Sequence, residues 1–241
     1  MNKKSPDVIG LSVSCFDRQY RLQGMGAQRS YPNESLIQFI ASRYFKLAHQ
    51  QRKDIKVLEV GCGSGANLWM MAKEGLQVYG LDSSAAALEL ARQHLHEKWS
   101  VTADLREGSF TALPYEDAYF DAVVDVVSLQ HLSLKDSRLA IGEIARVLKP
   151  SGEFFSYRLS DHSVQFADLS QAKVDATTLL NIDDVAMPLA NNGPIAFWSP
   201  SMACMVYEGV GIKLVSCERV GRTYLNGQYV EYLSLLGGKL I

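Results

Sequence analysis

The sequence contains no apolar run approaching the roughly 18–20 residues that a membrane-spanning helix needs. Its N-terminus has no long apolar h-region, so neither a bilayer span nor a visible secretion signal is expected. Cysteine is scarce. Cys15, Cys62, Cys204 and Cys217 form no CxxC pair and show no metal-ligand spacing. A disulfide framework is not expected in a chain of 241 residues. A reducing cytoplasm is therefore the expected location. No metal site is expected, and activity should survive chelators such as EDTA. An excess of either charge is lacking too: 24 Lys and Arg face 26 Asp and Glu, for a net −2. Binding nucleic acid through its phosphates needs clustered cations, and Lys3-Lys4 and Arg52-Lys53 are only short solvated pairs. Internal repeats and low-complexity tracts are absent.

What the chain does have is an ordinary globular composition, 47% hydrophobic and 21% charged. That supports a single α/β domain over residues 1–241. Its organising stretch is Val57-Leu58-Glu59-Val60-Gly61-Cys62-Gly63-Ser64-Gly65-Ala66-Asn67-Leu68. An apolar strand runs into a glycine turn. A helical pattern follows from about Ala66 to Glu74 and stops at Gly75. Glycines at alternate positions let the backbone approach a ligand where a Cβ would collide. The helix N-terminus beyond them offers free N–H groups to a carboxylate or phosphate. Gly61-x-Gly63-x-x-Ala66 also satisfies the dinucleotide fingerprint. Glu59, two residues before the first glycine, would repel a pyrophosphate and welcome an ammonium. S-adenosylmethionine (SAM), with an amine, a sulfonium and a carboxylate, fits that preference. An NAD-type dinucleotide and a turn without a ligand are the alternatives.

Residues 1–30 read as irregular, with Phe16, Tyr20 and Leu22 packing on the body. Asn33 is the expected N-cap of a helix that carries Leu36, Ile37, Ile40, Tyr44 and Leu47 at helical spacing. Tyr31, Asn33 and Glu34 serve either capping and packing or a ligand in the neighbouring turn. Residues 1–50 together are expected to form an N-terminal helical lid. A second strand, Gln77–Asp82, ends in an acid 21 residues after Gly61. A carboxylate there accepts from ribose hydroxyls in βαβ units, or favours the next helix through its dipole. His94 and His96 read as surface residues of that helix. A third strand is expected over Trp99–Asp104, followed by a turn that sets Ser109 and Phe110 beside an adenine. Tyr119–Val127 reads as a strand buried on both faces, with Asp125 expected at the crevice where open sheets bind ligands. A helix over Lys135–Leu148 should turn Leu139, Ile144, Ala145 and Leu148 inward, and Glu153–Leu159 should be the next strand. Residues 160–200 break the alternation and read as a specificity insertion. They hold Asp161-His162, a short helix near Val164–Thr178, and Phe197-Trp198 as either pocket wall or core. A helix over Ser201–Gly209 and strands over Ile212–Val220 and Val230–Leu236 complete the chain.

Four motifs in this order resemble the class I (Rossmann-like) SAM-dependent methyltransferases. They are Glu59-x-Gly61-x-Gly63-x-Gly65, Gly80-Leu81-Asp82-Ser83, Leu113-Pro114 followed by Tyr119-Phe120-Asp121, and Arg146-Val147-Leu148-Lys149-Pro150-x-Gly152. The resemblance implies an α/β fold: a seven-stranded, mostly parallel sheet sandwiched by helices, with a C-terminal antiparallel strand. It implies SAM as cofactor and S-adenosylhomocysteine (SAH) as product. Gly61, Gly63 and Gly65, with Glu59, Cys62 and Asn67, would line the methionine part. Asp82 and Ser83 would take the ribose, Ser109 and Phe110 the adenine, and Asp125 and Val126 the underside of the sulfonium. Many members carry Asp where this chain has Ser109. The implied acceptor is a small molecule. The Ser128–His131 segment and the C-terminal half look like members found with sugar and polysaccharide biosynthesis. No Asn/Asp-Pro-Pro-Tyr/Phe segment of the base-amino type appears, nor a double-Glu loop of the protein-arginine type.

A hydroxyl acceptor needs its proton removed. His131 is the first candidate base, and Asp161 with His162 the second. A nitrogen acceptor needs none. A non-catalytic SAM- or SAH-binding regulatory protein and an NAD-type enzyme are the competing functions. A monomer or homodimer without membrane or nucleic-acid partners is expected.

Overall fold

The computed structural model describes residues 6–167 and 171–240. The first five strands are β1 (Lys56–Val60), β2 (Gln77–Asp82), β3 (Asp104–Glu107), β4 (Phe120–Val126) and β5 (Leu148–Leu159); the central β1 and β4 are mostly apolar, whereas the edge strand β3 is Asp-Leu-Arg-Glu. These five pair in parallel. β9 (Tyr229–Lys239) runs antiparallel to β5, and β8 (Ile212–Thr223) runs antiparallel to β9. The resulting seven-stranded sheet has the order β3-β2-β1-β4-β5-β9-β8. The order reverses between β1 and β4. Open α/β sheets bind ligands beyond the strand ends at such a switch point.

Side chains alternate across each strand. Leu58 and Val60 therefore join one core with α6 (Leu134–Val147) and α8 (Pro200–Glu208). Val57, Val78 and Val124 join the other, with α2 (Glu34–Tyr44), α4 (Leu68–Lys73) and α5 (Ala85–Gln93). A third, smaller core lies under residues 160–200. There Leu179 of β6 (Thr178–Leu179) and Ile195 of β7 (Ile195–Ala196) pack with Leu159, Phe197 and Val230. Two four-residue helices, α3 (His49–Arg52) and α7 (Val164–Ala167), link larger elements. Among the described residues, no helix is long and apolar enough to cross a membrane.

Several expectations are corrected. Within the stretch expected to be irregular, Val8–Gln23 form the 16-residue helix α1, capped by Asp7, whose side chain accepts from Gly10 N. Its fully buried face is only Val8, Ser12 and Tyr20, too sparse to show a period. The third strand lies at Asp104–Glu107, not Trp99–Asp104. Trp99 instead stacks on Trp69, with ring centroids 3.7 Å apart. His94 is buried, and Trp99 Nε1 donates to its Nε2 at 3.1 Å. The helix expected near Val164–Thr178 is described over Val164–Ala167, residues 171–178 are not helical, and residues 168–170 lie outside the described residues, as do Lys3 and Lys4. Phe197 and Trp198 are core, 1% and 0% exposed.

Leu139 is 53% exposed, whereas Ile141 and Ile144 are buried on α6. Ile141→Ala should therefore cost about 2–5 kcal/mol in a urea unfolding experiment. Leu139→Ala should stay within about 0.5 kcal/mol of wild type. The opposite ranking would mean that α6 presents its other face to the sheet.

Candidate active site

The glycine turn is bent by its own chemistry. Gly61, Gly63 and Gly65 have φ of +71°, +51° and +81°, a region other residues rarely enter. Two of the three also lie under another element. A Cβ on Gly61 would sit 2.2 Å from Ser128 Oγ, and one on Gly63 would sit 2.5 Å from Tyr20 Oη. Tyr20 thus brings α1 down over the turn. Asp17 of α1 accepts from Ser84 Oγ at 2.8 Å and ties the same helix to the start of α5. Between turn and helix is a cavity of about 950 Å³.

The cavity floor is polar and incompletely paired. Glu59 is 1% exposed. Its Oε1 accepts from Asn67 Nδ2, and Asn67 Oδ1 accepts from Asn33 N at 3.0 Å. Glu59 Oε2 is buried without a hydrogen-bond partner. Burial, opposed in part by the Asn67 bond, pushes the Glu59 carboxyl up to about 8. Asp82 closes β2. Its Oδ2 accepts from Gly63 N and its Oδ1 from Ser84 N, both at 2.9 Å. Burial raises its pKa, and those backbone donors oppose the rise. A carboxylate has about four acceptor sites, so these backbone bonds do not exhaust Asp82, which lines the cavity. Ser83, Ser109 and Phe110 line the same wall.

Strand alternation separates the next pair. Val126 lines the cavity, while Asp125 is fully buried beneath it. Asp125 accepts from Ser128 N, Leu129 N and Ser156 Oγ at 2.9, 3.0 and 2.7 Å. It fastens the turn after β4 and does not reach the cavity. Gly65 is a second correction: it packs toward Ala91 and Leu95 and does not line the cavity, though Gly61, Cys62, Gly63 and Asn67 do. Val127 follows with φ +59°, an outlier for a β-branched residue, beside the cavity.

That turn carries His131 to the cavity wall. His131 Nδ1 lies 2.8 Å from Pro194 O, a carbonyl that only accepts, so Nδ1 holds the proton. Nε2 is then the basic nitrogen, 3.5 Å from Gln130 Nε2. Burial lowers the His131 pKa to about 4. The ring of Phe16 meets it edge-on at 4.7 Å, and Ser12 Oγ donates to its carbonyl at 2.8 Å. Asp161 and His162 are not brought there. Asp161 N donates to Trp198 O, and exposed His162 accepts from Arg219 Nη1 at 2.6 Å beside Glu231. Neither lines the cavity. Among the described residues, no group of three or more His, Cys, Asp or Glu is placed to hold a metal ion.

Among the cavity residues that sequence reading missed are two cations, Arg29 and Arg222. Each is an isolated cation without periodic or motif context. Arg29 sits near enough to Glu59 and Tyr20 to favour their ionised forms. SAM carries an ammonium, a carboxylate and two ribose hydroxyls, and the residues present fit it. The orphan Glu59 oxygen suits the ammonium, Arg29 the carboxylate, and the turn leaves no room for a Cβ.

A family model described as a methyltransferase domain matches residues 58–156. A ubiquinone biosynthesis O-methyltransferase of Azoarcus sp. (strain BH72) is 33% identical over 170 residues, which is 70% of this chain and 68% of that protein. A ubiquinone biosynthesis O-methyltransferase of Chelativorans sp. (strain BNC1) is 35% identical over 101 residues, 42% of this chain and only 39% of that protein. Among solved structures, 1,6-didemethyltoxoflavin-N1-methyltransferase of Burkholderia thailandensis, with 1,6-didemethyltoxoflavin and SAH bound, superposes with a TM-score of 0.70. It covers 100% of this chain and 92% of its own at 15% identity, a likeness of fold.

The raised Glu59 carboxyl has a definite sign in pH. The unfolded state loses this proton near pH 4.5 and the folded state near pH 8. The folded state therefore binds more protons between these values, and stability falls as pH rises through that window. Glu59→Gln should lack this slope, so the two unfolding curves should converge toward pH 4.5 and diverge toward pH 8. Parallel pH profiles for wild type and variant would show that Glu59 is not protonated in the folded protein.

Proposed function

The chain belongs to the class I SAM-dependent methyltransferases, and on that premise we propose that it methylates a hydroxyl oxygen of a small-molecule acceptor, with His131 as general base. The observation that carries this reading is one cavity lined by both the half-paired Glu59 carboxylate and a histidine whose basic nitrogen is fixed as Nε2. When bound, SAM supplies an electrophilic methyl group on a sulfonium.

The chain's own residues do the rest. Glu59 accepts from the ammonium through Oε2. Arg29 donates to the carboxylate. Asp82 accepts from ribose hydroxyls on lone pairs that the backbone leaves free, with Ser83 at its side. Ser109 and Phe110 flank the adenine, a hydroxyl and a ring. Cys62 and Val126 shape the wall, and Tyr20 with Phe16 shields the site from water. His131 Nε2 takes the acceptor proton as the oxygen attacks. A neutral imidazole is required, and the depressed His131 pKa keeps it neutral throughout the physiological range. Methyl transfer otherwise rests on in-line positioning.

Residues 1–50 act as the lid and 160–200 as part of the acceptor side in this reading. Leu189 and Asn192 reach the cavity from that insertion. The two ubiquinone biosynthesis O-methyltransferases named above support a hydroxyl acceptor, while the N1-methyltransferase structure is a likeness of fold alone. The sugar or polysaccharide precursor expected from the C-terminal half finds no such support among these relatives.

Calorimetric titration with SAH tests the cofactor site. Wild type should bind, and Asp82→Ala should bind at least tenfold more weakly, the scale of a lost charge-assisted bond. A folded wild type that ignores SAH would sink the reading. For the base, His131→Ala should lower kcat by about 10²–10⁴ while SAH affinity changes little. SAH binding without turnover of any hydroxyl acceptor would favour the non-catalytic alternative.

A further inference from the structure

The half of the cavity away from the glycine turn is walled by the C-terminal hairpin. Register sets Tyr232 of β9 opposite Val220 of β8, and Val230 opposite Arg222. Directly opposed residues share a face of the sheet, so Val220, Arg222 and Tyr232 point to one side. Across β9's other edge Tyr232 opposes Leu159, two residues beyond Tyr157 on the same face of β5. The Tyr157 and Tyr232 rings stack with centroids 4.7 Å apart at 16°. Tyr157, Val220, Arg222 and Tyr232 all line the cavity. The wall is thus a pair of parallel rings ending in a guanidinium.

That guanidinium is uncommitted. Arg219, three residues earlier on β8, pairs with Glu231 at 3.2 Å and donates to His162. Arg222 is exposed and forms no ion pair among the described residues. The acids that line the cavity are Glu34, Glu59, Asp82 and Glu107. The last three belong to the ends of β1, β2 and β3, the cofactor half. Glu34 opens α2 and lies near enough to Tyr157 to oppose its ionisation, which Arg222 and Arg29 favour. Arg29 also acts on Glu59 and is taken by the cofactor carboxylate in the reading above. Arg222 is left as the cation of the acceptor half.

We propose that this half of the cavity is an acceptor subsite for a planar aromatic ring bearing a carboxylate. The ring lies along Tyr157 and Tyr232, and the carboxylate is held by Arg222. The geometry suits the chemistry. Stacked rings favour another planar π-system, and a guanidinium matches a carboxylate through two parallel N–H donors. The inference rests on the methyltransferase reading for the identity of the other half, and its test is separable from that reading.

The probes are 3,4-dihydroxybenzoate and its neutral twin 3,4-dihydroxybenzamide. Both are titrated calorimetrically into the full chain, with saturating SAH and again without it. Wild type should bind the carboxylate about tenfold or more tighter than the amide, the scale of one charge-assisted hydrogen bond. Arg222→Gln should erase that preference while SAH affinity stays within about twofold, and Arg222→Lys should restore part of it. Arg29→Gln should do the reverse, weakening SAH and sparing the preference. Glu34→Gln should leave or increase it. A wild type with no carboxylate preference, including one that binds neither probe, overturns the proposal. So does a preference that survives Arg222→Gln. Failure of SAH to bind falls on the cofactor reading instead, and the titrations without SAH still decide the subsite.

Discussion

The structure depends on a buried carboxylate that its own fold leaves half paired. Glu59 lies one residue before the end of β1, on the cavity floor, with its Oε2 buried and without a hydrogen-bond partner. An unpaired buried polar group costs roughly 1–3 kcal/mol, more if charged. The protein lessens this cost by raising the pKa and by a single bond from Asn67. Asn67 in turn holds Asn33, which caps α2. One acid therefore links β1, the glycine turn and a covering helix. A fold that keeps an unmet acceptor at its switch point is set up for a cationic ligand there, and local frustration of this kind concentrates at functional sites.

The same economy runs along β4. Asp125 is spent on Ser128 N and Leu129 N, and those bonds aim the turn that carries Gln130 and His131. Ser128 Oγ reaches back to Gly61 O at 3.0 Å. The histidine turn and the glycine turn are therefore braced against each other. Val127 sits between them in a left-handed conformation, with its N–H donated to Tyr157 O at 2.8 Å. Strain at that residue is the geometric cost of turning the chain from the sheet into the cavity wall. α1 then closes the arrangement through Tyr20, Asp17 and Ser12, three contacts to three separate segments.

Much of this was legible because it is periodic or punctuated. The strand–glycine turn–helix at Val57–Leu68 and the acid ending β2 follow local rules that packing does not override. Asp125 and Val126 are neighbours on a strand and point to opposite faces, so only Val126 lines the cavity. Gly65 is explained by its positive φ and by its close approach to Ala91 and Leu95, and makes no contact with the cavity. Other features leave no local trace. α1 buries too narrow a stripe to show a period. Trp99 left its expected strand because Trp69, thirty residues away, offers a stacking partner. Arg29 and Arg222 are single exposed cations, and only tertiary structure brings them to one cavity.

The sheet also divides what similarity can transfer. The family match covers residues 58–156, the parallel half that builds the glycine turn, the β2 acid and the His131 turn. Tyr157 lies just outside that span, and Arg222 and Tyr232 lie far beyond it. The cofactor half faces one molecule of fixed chemistry. The hairpin half faces whatever is methylated, and its side chains sit on an edge pair of strands whose register allows substitution without disturbing the core. Identity over the matched half therefore carries the reaction but not the acceptor. Acceptor choice has to be argued from the uncommitted guanidinium of Arg222 and the rings beside it.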